Sequence, residues 1–123
     1  MLNESEKPGI WGEVFAARYM REHGYEIVTA NYHCRFGEID IIAKTGDFIV
    51  FTEVKTRTYE YLATGREAVD SRKQERIVKT ASLFLEKNQY DLQPRFDVAE
   101  VMLDSDNNSA KITYIENAFD SSL

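Results

Sequence analysis

Three carboxylates and one lysine occupy alternate positions in two neighbouring stretches of the sequence. Glu38 and Asp40 alternate in the first stretch, and Glu53 and Lys55 alternate in the second. Alternate side chains of a β-strand point to the same face, so each pair is expected on one side of a sheet. Neighbouring carboxylates resist joint ionisation, and a divalent cation such as Mg²⁺ removes that cost. The pattern therefore predicts a metal site at Asp40 and Glu53, where a bound metal would promote phosphodiester hydrolysis.

A β-hairpin is predicted to bring these residues together. Residues 36–44 and 48–57 are rich in β-branched and aromatic side chains, and a turn containing glycine separates them. One face is expected to be mixed, continuing inward from the acids as Ile42 and Phe51. The other is expected to be apolar, with Ile39, Ile41, Val50 and Val54. Both strands should therefore lie inside the sheet.

The length of the turn decides which residues face each other across this hairpin. With residues 46–47 as a two-residue loop, Asp40 lies opposite Glu53 and Glu38 lies opposite Lys55. Cβ atoms of opposed residues lie about 4.5–5.5 Å apart. A three-residue loop would break this register. Lys55 would orient the attacking water or stabilise developing negative charge, whereas in a purely structural interpretation it pairs with an acid in a cross-strand ladder.

The remaining elements are predicted from apolar periodicity and from residues that favour helix ends. Ser71 followed by Gln74 has the pattern of a capping box at the start of the second helix. In chain order we expect a helix from about 9 or 10 to 23, strands 25–32, 36–44 and 48–57, a loop 58–65, a helix at about 72–88, and antiparallel strands 95–103 and 111–115. The order α-β-β-β-α-β-β predicts an α/β fold in which a mixed β-sheet is flanked by helices. The strands on either side of the second helix should be parallel neighbours.

Composition limits the classes of protein that this chain can form. Its 123 residues predict a single domain over 1–123, with a core at roughly 9–116 and short flexible termini. One cysteine excludes an internal disulfide and a cysteine-built zinc site. The N-terminal residues lack the apolar run of a signal peptide and no stretch is long enough to span a bilayer, so we expect a cytoplasmic protein without a membrane partner. The net charge of -6 argues against a strong, non-specific nucleic-acid coat.

A longer pattern of residues resembles a known family. Asp40 followed by Glu53-x-Lys55 resembles the D…(D/E)xK signature of restriction-endonuclease-like nucleases. The longer match comprises Gly12-Glu13, Gly24-Tyr25, Asn31-Tyr32, Cys34-Arg35, Gly37-Glu38-Ile39-Asp40, Ile42-Ala43, Phe51, Glu53-Val54-Lys55-x-Arg57, Gly65, Ala68-Val69, Lys73-Gln74-x-Arg76 and Arg95-Phe96-Asp97-Val98. Together these residues look like the YraN family of small bacterial proteins. The family is assigned to the restriction-endonuclease-like fold, and the match covers roughly residues 9–103.

The resemblance implies roles for individual residues. Asp40 and Glu53 would bind Mg²⁺ or Mn²⁺, with the Val54 carbonyl as a further candidate ligand, and Lys55 would be the catalytic lysine. Glu13 would be the additional acid that such nucleases often bring from an N-terminal helix, although it could equally be a first-turn acid that favours the helix dipole. Gln74 would be a polar residue contributed by the second helix, although a capping box explains it equally well.

Basic residues are concentrated after the acidic hairpin. Residues 55–79 carry seven basic and four acidic side chains, whereas both flanking segments are acidic. These basic residues could hold a phosphate backbone or serve only solubility. The candidate nucleic-acid contacts are Arg35, Arg57, Arg66, Arg72, Lys73 and Arg76. His33 stands where the family usually has arginine, although the neighbouring Arg35 matches.

These predictions favour a metal-dependent nuclease that hydrolyses phosphodiester bonds of nucleic acid. Structure-specific DNA is one candidate substrate, and the sequence leaves DNA and RNA both open. Two other classes of function fit the same sequence. One is a nucleic-acid-binding module without catalysis, and the other is a protein-interaction scaffold whose acidic patch meets a basic partner. Homodimerisation stays open, because no surface stripe in the sequence identifies an interface.

Overall fold

The predicted order of helices and strands is present in the computed structural model, which describes residues 8–58, 69–104, 106 and 108–120. The elements are α1 (Pro8–Glu22), β1 (Glu26–Cys34), β2 (Gly37–Thr45), β3 (Phe48–Thr58), α2 (Ser71–Lys87), β4 (Gln93–Asp104) and β5 (Ser109–Phe119). The mixed α/β class and the order α-β-β-β-α-β-β are confirmed. The loop predicted over 58–65 lies outside the described residues, except for Thr58, which ends β3.

The strands form one mixed sheet in the order β1-β2-β3-β4-β5. Strands β3 and β4 are parallel, and the other neighbouring pairs are antiparallel. Helix α2 lies between β3 and β4 in the chain, so the predicted crossover between parallel neighbours is confirmed. Both β2 and β3 are interior strands, as the sequence indicated.

Each face of the sheet is covered by one helix, which gives two hydrophobic clusters. Helix α1 packs through Ala16 and Met20 on one face, and α2 packs through Ile77, Ala81 and Phe84 on the other. The cluster under α1 includes Tyr25, Ile41, Ala43, Val50, Ala99, Val101 and Leu103. The cluster under α2 includes Ile39, Ile42, Ile49, Phe51, Val78 and Phe96. In the part of the chain that the model describes, no helix is long and apolar enough to cross a membrane.

Local interactions explain where the two helices end and begin. At the end of α1, Gly24 has a positive φ of 89°, and the N–H of Tyr25 donates to the Met20 carbonyl at 2.9 Å, as in a left-handed C-terminal stop. The predicted capping box at Ser71 is wrong, because Asp70 is the N-cap of α2 and Ser71 is the first helical residue. The Asp70 carboxylate accepts a hydrogen bond from the Lys73 N–H at 2.8 Å, which satisfies an unpaired donor of the first turn.

The prediction for Ile39 is also wrong. Alternation along β2 assigned this residue to the face of Ile41, but it packs in the cluster under α2. Regular pairing of β1 with β2 is interrupted beside it, since Asn31 has a positive φ of 53° and no partner is paired with Asp40. A local departure from extended backbone therefore breaks the alternation at Asp40, within the predicted site.

Candidate metal and nucleic-acid site

Strands β2 and β3 separate at the point where the acidic residues lie. The two-residue turn produces the predicted register, in which Thr45 pairs with Phe48 and Ile41 pairs with Thr52. The ladder ends at this last pair, so the predicted cross-strand pairs of Asp40 with Glu53 and of Glu38 with Lys55 are not formed. Beyond this point β2 stays paired with β1, and β3 stays paired with β4. The sheet therefore opens into a fork with Asp40 and Glu53 at its base.

The Asp40 side chain occupies this fork. Its Oδ2 atom accepts a hydrogen bond from the Val54 N–H at 2.8 Å. If the pairing of β2 with β3 continued in the same register, the Val54 N–H would face the backbone of Ile39. The Asp40 carboxylate therefore takes the place of a backbone acceptor of β2. Burial and the nearby charge of Glu53 raise the pKa of Asp40 to about 7, against the smaller opposing effect of the Val54 hydrogen bond. Proton binding by the Asp40 carboxyl is therefore favoured, although the charge of Lys73 lies close enough to interact with it.

Glu53 is buried beside Asp40 and is held by a lysine of α2. The residue is 8% exposed, and its Oε1 atom lies 2.9 Å from Lys73 Nζ. Lys55 contacts the same lysine, and burial together with that contact lowers the pKa of Lys55. For Lys73, hydrogen bonds to Lys55 and Glu53 and the charges of Glu53 and Asp40 outweigh the opposing effect of burial and raise the pKa. Lys73 was predicted as a nucleic-acid contact, but its side chain already compensates the charge of Glu53.

Glu13 reaches the same fork because α1 approaches β3 very closely. A Cβ atom at Gly12 would lie 1.8 Å from Thr56 Oγ1, so only glycine fits between the helix and the strand at this level. Glu13 follows directly in the chain and hydrogen-bonds the Asn31 side chain. Burial raises the pKa of Glu13, and the charges of Glu38 and Glu53 raise it further. The acid predicted from the resemblance thus lies within electrostatic reach of the hairpin acids.

A cleft of about 490 Å³ extends from Glu53 along the first turns of α2. Its walls carry both acidic and basic side chains and are formed by Gly37, Glu38, Glu53, Asp70, Arg72, Lys73, Arg76 and Ile77. Three of the six predicted basic contacts, Arg72, Lys73 and Arg76, therefore line one cavity together with Glu53. Arg35 lies instead over the ring of Phe36 at the β1–β2 turn.

Among the described residues, Arg57 and Gln74 do not line this cleft. Arg57 donates to the Thr56 carbonyl at 3.1 Å, and Arg66 lies outside the described residues. The Gln74 amide donates to the Val69 carbonyl at 2.7 Å, so this side chain ties α2 to the segment before it. Gln74 thus makes a contact at the start of α2, although not the capping-box hydrogen bond with Ser71 that the alternative interpretation expected.

The donor set fits a hard divalent cation with few protein ligands. Among residues 8–58, 69–104, 106 and 108–120, no three His, Cys, Asp or Glu side chains form a group that could hold a metal. Asp40 and Glu53 interact strongly enough for the charge of one to raise the pKa of the other. Mg²⁺ is commonly held by one or two carboxylates and keeps several waters, so this pair suits it better than an all-protein cage.

A second buried acid was not identified from the sequence. Asp97 in β4 is completely buried, and Arg95 binds it through two hydrogen bonds of 2.9 and 2.8 Å. The Tyr114 hydroxyl donates to Asp97 Oδ2 at 2.6 Å, and the Asn117 N–H donates to Oδ1 at 2.9 Å. The alternate spacing of Arg95 and Asp97 on one strand face was a usable signal for this ion pair, whereas the contribution from β5 was not visible.

Comparison with known proteins identifies the family of this α/β chain. The model of the family described as "Uncharacterised protein family UPF0102" matches residues 12–101. A UPF0102 protein of Clostridium botulinum (strain 657 / Type Ba4) is 46% identical over 115 residues, which cover 90% of this chain and 92% of that protein. A UPF0102 protein of Clostridium acetobutylicum is 41% identical over 116 residues, covering 94% and 95% of the two chains. The chain belongs to the UPF0102 family, which is the YraN family that its motifs resemble.

Proposed function

We propose that this protein is a metal-dependent nuclease that hydrolyses phosphodiester bonds of nucleic acid at the fork between β2 and β3. The observation that carries the proposal is the convergence of Asp40 and Glu53 where the ladder ends, with the pKa of Asp40 raised to about 7. A carboxyl whose pKa is raised so strongly, beside an acid that lines a cleft, is typical of functional sites, since stability alone does not favour such an arrangement. The D…(D/E)xK resemblance supports the same residues.

Each side chain at the fork has a task in this chemistry. Asp40 and Glu53 would hold Mg²⁺ or Mn²⁺, which when bound supplies Lewis-acid polarisation of the phosphodiester. Glu13 adds negative charge to the site from α1. The lowered pKa of Lys55 favours exchange of a proton with the attacking water, and its charged form stabilises the phosphate oxygens. Arg72 and Arg76 line the approach and attract the phosphate backbone.

The metal site can be tested without knowledge of the substrate. Calorimetric titration with Mn²⁺ is expected to show binding by the wild type and loss of that binding in Glu53→Gln. Glu75→Gln is the matched control, because Glu75 pairs with Lys79 on the exposed surface of α2. Equal Mn²⁺ affinity in the wild type and both variants would contradict the assignment.

Cleavage is tested on single-stranded, duplex and branched DNA and RNA with Mg²⁺ or Mn²⁺. Asp40→Asn should reduce the cleavage rate at least about a hundredfold, because it removes a charge that acts directly at the reacting centre. Asp47→Asn, in the exposed hairpin turn, serves as the control. Nucleic-acid binding without any metal-dependent cleavage would instead support the non-catalytic binding module.

A further inference from the structure

One phenylalanine among the described residues lies outside both hydrophobic clusters. The chain has seven phenylalanines, and all of them lie among the described residues. Phe15, Phe48, Phe51, Phe84, Phe96 and Phe119 belong to or pack against a cluster. Phe36 belongs to neither cluster. It is only half-buried, so part of the side chain is accessible. Core packing among the described residues therefore does not explain an aromatic residue at this position.

Phe36 forms part of a second cavity that adjoins the fork. This cavity of about 480 Å³ is lined by His33, Cys34, Arg35, Phe36, Gly37, Glu38 and Arg76. Gly37, Glu38 and Arg76 also line the cleft that contains Glu53. The two cavities therefore adjoin, with Phe36 lining one and the buried Glu53 lining the other, and the line from Phe36 past Arg76 to Glu53 is the candidate path of a strand.

The chemistry along this path is that of single-strand recognition. The Arg35 guanidinium carbon lies 4.9 Å from the centre of the Phe36 ring, and stacked aromatic and guanidinium groups are surfaces on which unpaired bases stack. Arg76 and Arg72 follow along α2 and supply positive charge for the backbone. Gly37 has a φ of 150° and lies close to α2: a Cβ atom added at this residue would lie 3.7 Å from the Arg76 Cβ. The β1–β2 turn and α2 are thus held close together, with the cavities between them.

The position of the acids also disfavours an intact duplex. Glu53 lies within the cleft, with α2 on one side and the β1–β2 hairpin on the other. A phosphate in a duplex carries its paired strand with it, whereas a single strand can enter a narrow cleft with its bases turned aside. The acidic net charge of -6 gives little general attraction for duplex phosphates, so local stacking gains importance.

We infer that the β1–β2 turn is a binding site for single-stranded nucleic acid, in which a base stacks on Phe36 and Arg35 while the adjoining backbone passes Arg76 towards Glu53. This inference rests on the proposed function for the identity of the ligand. It assigns to that function a substrate class, a single strand or an unpaired arm next to the cut, and a recognition residue, Phe36. DNA and RNA offer the same stacking chemistry.

Fluorescence anisotropy in EDTA tests the inference without cleavage. The probes are short labelled oligo-dT and oligo-U single strands and a mixed-sequence DNA duplex of the same length. The wild type should bind at least one single strand about tenfold more tightly than the duplex, and Phe36→Leu should lose about tenfold of that affinity. Leucine preserves apolar bulk but has no flat ring. Oligo-dU is added as a probe that differs from oligo-U in the sugar alone, so comparison of these two identifies the sugar that the site accepts.

Phe15→Leu is the matched control, because Phe15 also lies under a guanidinium, with Arg18 at 5.6 Å, but on α1. Its affinity for single strands should stay within about twofold of the wild type, because no base stacks there. Equal or tighter binding of the duplex, or an unchanged affinity in Phe36→Leu, would overturn the inference.

Failure of this inference and failure of the proposed function give different results. Cleavage that depends on Asp40 but is insensitive to Phe36→Leu would preserve the nuclease and refute the single-strand site. Binding that depends on Phe36, without cleavage under any metal, would preserve the site and refute the nuclease. Asp40→Asn should bind single strands in EDTA at least as tightly as the wild type, since it removes negative charge near the backbone.

Discussion

Two acids of the sheet, Asp97 in β4 and Asp40 in β2, differ in how their charge is compensated. Asp97 is completely buried, and its two oxygens accept hydrogen bonds from Arg95, Tyr114 and Asn117. Asp40 accepts a hydrogen bond from the Val54 N–H and lies beside another acid, which raises its pKa to about 7. The charge of Asp97 is thus balanced within the fold, whereas ionisation of Asp40 is electrostatically unfavourable.

The difference separates a structural acid from a candidate functional acid. Hydrogen bonding to Asp97 raises the pKa of Arg95 and so strengthens the ion pair against deprotonation. Burial, and the hydrogen bond that its hydroxyl donates to Asp97, raise the pKa of Tyr114. A buried network of this kind, with its charges paired, stabilises one packing of β4 against β5. At Asp40 the missing compensation is what a bound cation would supply.

The largest expected effect is the loss of the Asp97 charge. Asp97→Asn leaves the Arg95 guanidinium, whose side chain is 10% exposed, without its anionic partner, and should lower the free energy of unfolding by about 3–5 kcal/mol. Urea denaturation monitored by circular dichroism measures this change. Asp47→Asn, at the exposed turn, should stay within about 0.5 kcal/mol of the wild type. A cost near that of the control would show that the network does not stabilise the fold.

Tyr114→Phe removes only one of the hydrogen bonds to Asp97. The Tyr114 hydroxyl donates to Asp97 Oδ2 and lies 3.0 Å from Thr52 Oγ1. Its removal should cost about 1–2 kcal/mol, because one hydrogen bond to a buried charge is lost while the ring remains. Urea denaturation again gives the value, and Tyr19→Phe, in a ring stacked on Tyr114, is the control. If both variants lose the same stability, the hydroxyl has no special role.

Asp40→Asn should have the opposite sign and stabilise the metal-free protein. The amide oxygen can still accept the Val54 N–H, while the charge that repels Glu53 is removed. The folded-state pKa of about 7 lies above the ordinary value of 3.8, so the contribution of Asp40 to the stability of the wild type falls as the pH rises from about 4 to about 7. The gain should therefore be about 1 kcal/mol near pH 8 and disappear near pH 4.

Urea denaturation in EDTA at several pH values measures this profile, with Glu75→Gln as the control. A gain that is independent of pH, or a loss of stability at about pH 8, would contradict the electrostatic origin.

The sequence predicted the elements and the register better than the geometry of the site. Strand alternation, the two-residue turn at 46–47 and the apolar stripe of α2 were enough for the topology, because these features are local. The fork was not predictable, since it depends on the positive φ of Asn31 and on Asp40 taking a backbone hydrogen bond. Nor could the sequence show Asp70 outcompeting Ser71 as the N-cap, because both residue types are good caps.

Residues distant in the chain explain the other differences. Lys73 was assigned to the phosphate backbone from charge alone, and only the packing of α2 on the sheet brings its Nζ to Glu53. The contribution of Tyr114 to Asp97 requires the pairing of β5 with β4, which does not follow from either segment alone. Glu13 was predicted as an additional acid of the site from the resemblance alone. The structure shows that the close contact of Gly12 with Thr56 holds this part of α1 against β3.

The smallest expected effect concerns Lys73, the basic residue that pairs with Glu53 at the fork. Lys73 Nζ lies 2.9 Å from Glu53 Oε1, so the lysine would compete with a bound metal for this carboxylate. Lys73→Met should therefore raise the affinity for Mn²⁺ about threefold, a modest change because the lysine is partly exposed and screened by solvent. Lys79→Met, which disrupts only the surface pair with Glu75, should leave calorimetric Mn²⁺ binding unchanged. A weaker affinity of Lys73→Met for Mn²⁺ would mean that the lysine holds Glu53 in position for the metal. Lys73 would then have a structural role at Glu53 like that of Arg95 at Asp97.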